Sequence, residues 1–199
     1  PVYAYEGIVE KKNKKYVTEF IFNKSGYAWV FPKDNHYNVG IGNLITGKNI
    51  NKLSKRDLYT FVAKHFETDK INNITAFPIG TEGESYQTKN NIFLVGDAAG
   101  FAESLLGEGI YNAVISGKYA ARAIINSRNH HESAMQLYNN FLNSFTQELK
   151  LYRKGSKILY SYPMISYWMM KFGLGTKFMN GYSTGKTLTE IMGKSNAYL

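Results

Sequence analysis

One run of the sequence narrows the folding options more than any other. It reads Asn91-Ile92-Phe93-Leu94-Val95, then Gly96-Asp97-Ala98-Ala99-Gly100, then Gly107-Glu108-Gly109-Ile110. A short continuous apolar stretch bounded by turn residues has the pattern of a buried strand. From Ile110 the pattern becomes helical and rich in small residues, with Ala113, Val114, Ser116, Gly117, Ala120, Ala121 and Ile124. Strand, glycine loop and helix in that order predict an α/β element, with Gly117 and Ala120/Ala121 packing the helix tightly against a sheet.

The loop between strand and helix is where chemistry is expected. A carboxylate at Asp97, flanked by small residues, can accept hydrogen bonds from a polyol chain that lies close to the backbone. The first N–H groups of a helix opening at Gly107-Glu108-Gly109 have no partner inside the helix. With the helix dipole they favour negative charge. Taken alone, Gly96-Asp97 is a common strand-to-loop turn. The full string is far more specific.

The preceding residues alternate as strands do: Ala4–Glu10, Tyr16–Asn23, Tyr27–Pro32 and Tyr37–Gly42 are separated by turn formers, including Lys12-Asn13-Lys14. They predict an antiparallel meander. Ser54-Lys55-Arg56-Asp57 has the form of a capping box, followed by Leu58, Phe61, Val62, His65 and Phe66 on one helical face. Ile74–Ile79 returns to extended structure, where Pro78 points to an edge. After Arg128 a second helix is expected from about Glu132 to Tyr152, then an apolar segment, Ile158–Met170, interrupted by Pro163. That segment is too short to span a bilayer, which needs about 20 apolar residues.

Two motifs in order, Tyr27-Ala28-Trp29-Val30-Phe31-Pro32-Lys33 with Asn38-Val39-Gly40, and the Gly96–Ile110 string, resemble the geranylgeranyl reductase family of FAD-dependent oxidoreductases. The likeness extends over roughly residues 16–126. It implies a p-hydroxybenzoate hydroxylase-like fold, with Gly96, Asp97, Ala98, Gly100, Gly107, Glu108, Gly109 and Ile110 at the cofactor. Asp97 would meet the flavin ribityl chain, and the Gly107–Ile110 amides would lie near the isoalloxazine. Tyr27, Trp29, Phe31, Pro32 and Lys33 would line the cavity of an isoprenoid substrate, with NAD(P)H or ferredoxin as electron donor. Alternation puts Tyr27, Trp29 and Phe31 on one strand face, which suits an isoprenoid wall and equally suits the apolar side of a sheet. Glu108 is a weak candidate for proton donation.

The chain departs from the family at Ser104, where Pro is common, and in having no Gly-x-Gly-x-x-Gly after a strand. Gly40-Ile41-Gly42 and Gly107-Glu108-Gly109 both lack the third glycine. The N-terminal Rossmann βαβ that grips the pyrophosphate is therefore expected upstream of Pro1, and this fragment alone should be inactive.

The expected fold class is α/β (α+β). An antiparallel substrate-domain sheet with one helix occupies 1–87, the C-terminal part of the FAD-binding domain 88–128 and a helical C-terminal region 129–199. The expected function is reduction of C=C double bonds in geranylgeranyl or polyprenyl lipids or diphosphates. The alternatives are another flavin-dependent monooxygenase or halogenase, and a non-catalytic fragment that binds lipid or a partner.

Charge and composition bear on the partners. The net charge is +9, and from Leu151 onward seven Lys and Arg residues face Glu190 alone. Interleaved with Tyr, Trp, Met and Phe, they suit peripheral contact with anionic lipid, or simply a solvated basic tail, rather than nucleic acid. The absence of Cys excludes disulfides and thiolate chemistry and fits the cytoplasm, with membrane association at its inner face. Adjacent His130-His131 point apart and do not make a metal site, so none is expected.

Overall fold

A computed structural model describes residues 2–11, 16–23, 25–44, 53–129 and 132–193. The chain divides into two compact units, Pro1–Ile79 and Gly80–Leu199.

The first unit is a five-stranded antiparallel sheet with one helix. Its strands are β1 (Val2–Glu10), β2 (Glu19–Phe22), β3 (Gly26–Pro32), β4 (His36–Asn43) and β5 (Asn72–Ile79), and its helix is α1 (Lys55–Phe66). The order β2-β3-β4-β1-β5 corrects the simple meander. Only β2–β4 follow one another; β1 pairs with β4 and β5 instead of β2. The pairing follows from hydrophobic content. A central strand is covered on both sides by hydrogen-bonding neighbours, and β1 with β4 supplies the apolar centre that β2, mostly exposed, does not. The turn at Lys12–Lys14 lies outside the described residues.

Period-two alternation sorts this sheet into two faces. Ala28, Val30, Tyr37, Val39, Ile41 and Val9 pack with Leu58 and Val62 of α1 into the core. The Ser54–Asp57 capping box forms as its sequence predicts, with the Ser54 amide donating to Asp57 Oδ2 at 2.8 Å. Pro78 sits in edge strand β5, opposite Tyr3, where its missing N–H is harmless.

The second unit is mostly helical: α2 (Ile110–Asn129), α3 (Ala134–Ser161), α4 (Pro163–Met169), α5 (Gly175–Ser183) and α6 (Leu188–Ile191). Phe101, Ala120, Ala123, Tyr138, Leu142 and Leu149 form its core. α3 runs well past Tyr152, and Pro163 starts a new helix at its first position, where a missing N–H costs nothing.

The strand expected at Asn91–Val95 is not formed. Only an isolated bridge joins Lys89 to Ile92, and Ile92 and Leu94 are exposed. The described residues place no strand beside this run, so tyrosine hydroxyls serve its backbone. Tyr86 accepts from the Leu94 amide at 2.9 Å and Tyr138 donates to the Leu94 carbonyl at 2.9 Å. Burial raises the Tyr138 phenol far above the usual tyrosine range, which keeps it a donor. The tight packing expected at Gly117 is also absent. A Cβ there would meet nothing, whereas Ala120 is buried against α3.

Candidate functional site

In the first unit, the face turned away from α1 carries the aromatic motif. Tyr27, Trp29 and Phe31 stand on it with Phe20 and Phe22 of β2. Their ring centroids are 5.5–6.1 Å apart, so they form one continuous aromatic floor. Sequence reasoning missed Phe20 and Phe22, although their alternation with Glu19 and Ile21 was legible. Trp29 is fixed in place: its indole N–H donates to Asn38 Oδ1 at 2.8 Å, and Asn38 donates to Glu6 at 3.3 Å. Gly40 lies directly opposite Trp29, and a Cβ there would stand 2.0 Å from the indole Cζ2. The Asn-x-Gly element therefore seats the tryptophan, Asn38 by its hydrogen bond and Gly40 by having no side chain. Pro32 ends β3 and Lys33 follows it in an exposed turn, where its amide donates to the His36 carbonyl at 2.8 Å.

In the second unit, Gly96–Ala99 forms a single 3₁₀ turn rather than a strand end. Gly96 (φ +53°) and Gly100 (φ +75°) take left-handed backbone that favours glycine. The Gly96 amide donates to Ser116 Oγ at 3.0 Å, which ties the turn to the flank of α2. Asp97 and Ala98 are exposed on the turn. Asp97 Oδ1 lies so close to Gly109 that a Cβ on that glycine would approach it to 2.9 Å. The amides of Gly109 and Ile110 have no hydrogen-bond partner among the described residues, and Ile110, the first residue of α2, is 82 % exposed. The structure thus brings Asp97 to an open helix N-terminus.

Four neighbouring loop amides are occupied. Glu103, buried, accepts from the amides of Leu105 (2.6 Å), Leu106 (2.7 Å) and Glu108 (3.1 Å). The Gly107 amide donates to the Glu103 carbonyl at 3.0 Å. The amides of Gly107 and Glu108 are therefore spent on loop shape, whereas those of Gly109 and Ile110 remain as donors without a partner among the described residues. Burial pushes the Glu103 carboxyl up to about 7, against the pull of the three amides and with a further upward push from the Glu108 charge. No sequence signal marked Glu103, because a lone Glu in a loop is ordinarily solvated. Glu108 caps α2 by accepting from the Tyr111 amide at 2.8 Å. It lines, with Glu103 and Tyr152, a cavity of about 660 Å³ among α2, α3 and residues 182–190. Ser104 is buried.

Residues 2–81 match the model of the geranylgeranyl reductase catalytic domain. That span holds the whole aromatic floor with Asn38 and Gly40. Over this span the chain resembles the geranylgeranyl reductase family. It is 37 % identical over 103 residues to a geranylgeranyl diphosphate reductase of Synechocystis sp., covering 52 % of this chain and 25 % of that protein. It is 34 % identical over 121 residues to a digeranylgeranylglycerophospholipid reductase of Picrophilus torridus, covering 59 % and 30 %. The chain thus spans about a quarter of the length of these geranylgeranyl reductase relatives. Among solved structures, a geranylgeranyl bacteriochlorophyll reductase-like protein from Thermoplasma acidophilum shares the fold. Its TM-score is 0.58 at 22 % identity, over 85 % of this chain and 54 % of that one. The flavin-dependent halogenase BrvH of Brevundimonas is a more distant likeness, with a TM-score of 0.53 at 15 % identity, over 76 % and 30 %.

Proposed function

We propose that the chain is the C-terminal part of an FAD-dependent oxidoreductase that saturates C=C bonds of geranylgeranyl or polyprenyl groups in lipids or diphosphates. The observation that carries this reading is the aromatic floor built on Gly40, within the region matched to the reductase catalytic domain. Five aromatic rings on an open sheet face offer an isoprenoid chain apolar contact along its length. Residues 1–87 would form this substrate region, Lys33 standing at its end to meet a phosphate.

The residues of 88–128 fit a flavin. Asp97 supplies an exposed carboxylate for a polyol, Gly109 leaves room beside it, and two unpartnered amides at a helix N-terminus favour negative charge. When bound, FAD would supply hydride for the double bond. Asp97 would hold its ribityl chain, while Gly109 and Ile110 would donate to its anionic edge. Gly96, Ala98, Gly100 and Gly107 would shape the loop around it, and Glu108 would fix the start of α2. Exposed Ile92, Leu94, Ile110, Val114 and Ile125 suit a covering dinucleotide-binding half in the full-length polypeptide, without which this piece should be inactive. NAD(P)H or ferredoxin would provide the electrons.

The halogenase reading has only a distant fold likeness behind it, and the reductase motifs weigh against it. No helix among the described residues is long and apolar enough to cross a membrane. Contact with a lipid substrate's membrane would run through the basic aromatic tail, as a peripheral contact at the inner face. The test is a reductase assay of the full-length polypeptide with geranylgeranyl diphosphate and geranylgeranyl lipids, read by mass spectrometry. Gain of two hydrogens per double bond supports the reading. Loss of activity in Trp29→Ala with flavin retained would assign the floor to substrate, and flavin-dependent halogenation without any reduction would replace the reading.

A further inference from the structure

Between Glu148 and Glu190 the chain carries seven Lys and Arg residues and no Asp or Glu. Within that span, the end of α3, α4 and the turn after it expose an unusual set of side chains. Tyr162, Met164, Ile165, Tyr167, Trp168 and Phe172 all face solvent, Met164 at 69 % and Phe172 at 77 % exposure. Of the seven residues of α4 only Ser166 is buried, its hydroxyl donating to the Leu159 carbonyl at 2.9 Å. A seven-residue helix with one buried residue has little to stabilise it in water. The rings are also organised: Trp168 stacks on Phe172 with centroids 5.4 Å apart, and Lys171 Nζ lies 5.1 Å from the Trp168 centroid. A large exposed apolar patch rimmed by charge marks a contact surface.

We propose that α4 and the following turn, Pro163–Leu174, form a docking surface for an anionic lipid bilayer. It gives residues and lipid chemistry to the peripheral contact included in the proposed function. Trp168 and Tyr167 are amphipathic rings suited to headgroup depth, while Met164, Ile165 and Phe172 insert below them. Lys154, Lys157, Lys171 and Lys177 meet lipid phosphates, their stems lying along the apolar surface. Charge argues against a second copy as occupant. Two such patches face to face would oppose cations to cations with no acidic residue from Lys150 to Thr189 to relieve them.

The sequence holds two tryptophans, Trp29 and Trp168. Trp29→Phe therefore leaves Trp168 as the only indole reporter. The 199-residue chain is titrated with phosphatidylcholine vesicles containing phosphatidylglycerol, and with phosphatidylcholine alone. The expected result is sedimentation with the anionic vesicles, a blue shift of Trp168 emission and its quenching by brominated acyl chains. Met164→Glu with Phe172→Glu should abolish quenching. Lys171→Glu with Lys177→Glu, which changes only exposed cations, should weaken binding about tenfold or more. Far-UV circular dichroism verifies that each variant is folded, and the lysine pair decides if the first pair unfolds. Absence of binding, or binding without Trp168 quenching, overturns the proposal. So does equal binding to soluble polyglutamate, a dimer broken by Phe172→Glu, or binding lost in the full-length polypeptide. The assay needs neither flavin nor isoprenoid substrate, so its failure leaves the reductase reading standing.

Discussion

The indole of Trp29 occupies the space that a side chain on Gly40, its cross-strand partner, would fill. One residue's bulk thus requires the other's absence of bulk, and both belong to the aromatic face that we assign to substrate. Gly40→Ala would drive the ring off its site and break its 2.8 Å bond to Asn38. Overpacking of this kind costs about 1–3 kcal/mol. In a Trp168→Phe background, urea unfolding should show that loss and Trp29 emission should shift in the folded state. An unchanged spectrum would mean that the indole does not lie over Gly40.

Glu103 makes stability depend on pH. Its carboxyl titrates near 7 when folded against 4.5 as its ordinary value, so the folded state holds a proton that the unfolded chain has released. Stability contributed by this group is therefore fully present below about 4.5 and falls as pH rises to about 7. The fall amounts to at most about 3 kcal/mol. Glu103→Gln removes the titration, and its stability between those limits should be nearly flat. Denaturant unfolding at stepped pH measures the difference between the two curves.

Ser116 joins α2 to the Gly96 turn through one hydroxyl, which accepts from the Gly96 amide and donates to the Asn112 carbonyl at 2.7 Å. Ser116→Ala would leave the Gly96 amide buried and unpaired, at a cost of about 1–3 kcal/mol. Hydrogen exchange should show the Gly96 amide losing protection more than its neighbours.

Gly109→Ala should separate stability from binding. The new methyl would be crowded only by the carboxylate end of Asp97, an exposed side chain that can swing aside, and would meet Ala102 at an ordinary 3.6 Å, so unfolding should change by less than about 0.5 kcal/mol. The displaced carboxylate would no longer stand beside the free amides. Flavin affinity of the full-length polypeptide should drop while its melting curve without flavin stays in place.

Local signals were legible in the sequence wherever one residue's chemistry decides the outcome. The capping box at Ser54 and Asp57, the edge position of Pro78 and the shared face of Tyr27, Trp29 and Phe31 all follow from side-chain type and spacing. What failed depended on neighbours. Ile92–Val95 has a strand's composition, but a strand also needs a partner, and tyrosine hydroxyls take that place here. β1 pairs with β4, a choice made by matching apolar faces over a long sequence separation. Glu103 was invisible because its burial is created by α3 and the loop around it, including Tyr160, whose hydroxyl donates to the Leu105 carbonyl at 2.7 Å.

The central claim is that Asp97, set against the free N-terminus of α2, holds part of a flavin. The visible absorption of the full-length polypeptide, purified after incubation with saturating FAD, tests it most directly. The account predicts a flavin band in the wild type that disappears in Asp97→Ala while the variant remains folded. A colourless wild type, or an Asp97→Ala variant that keeps its flavin at undiminished affinity, would contradict it.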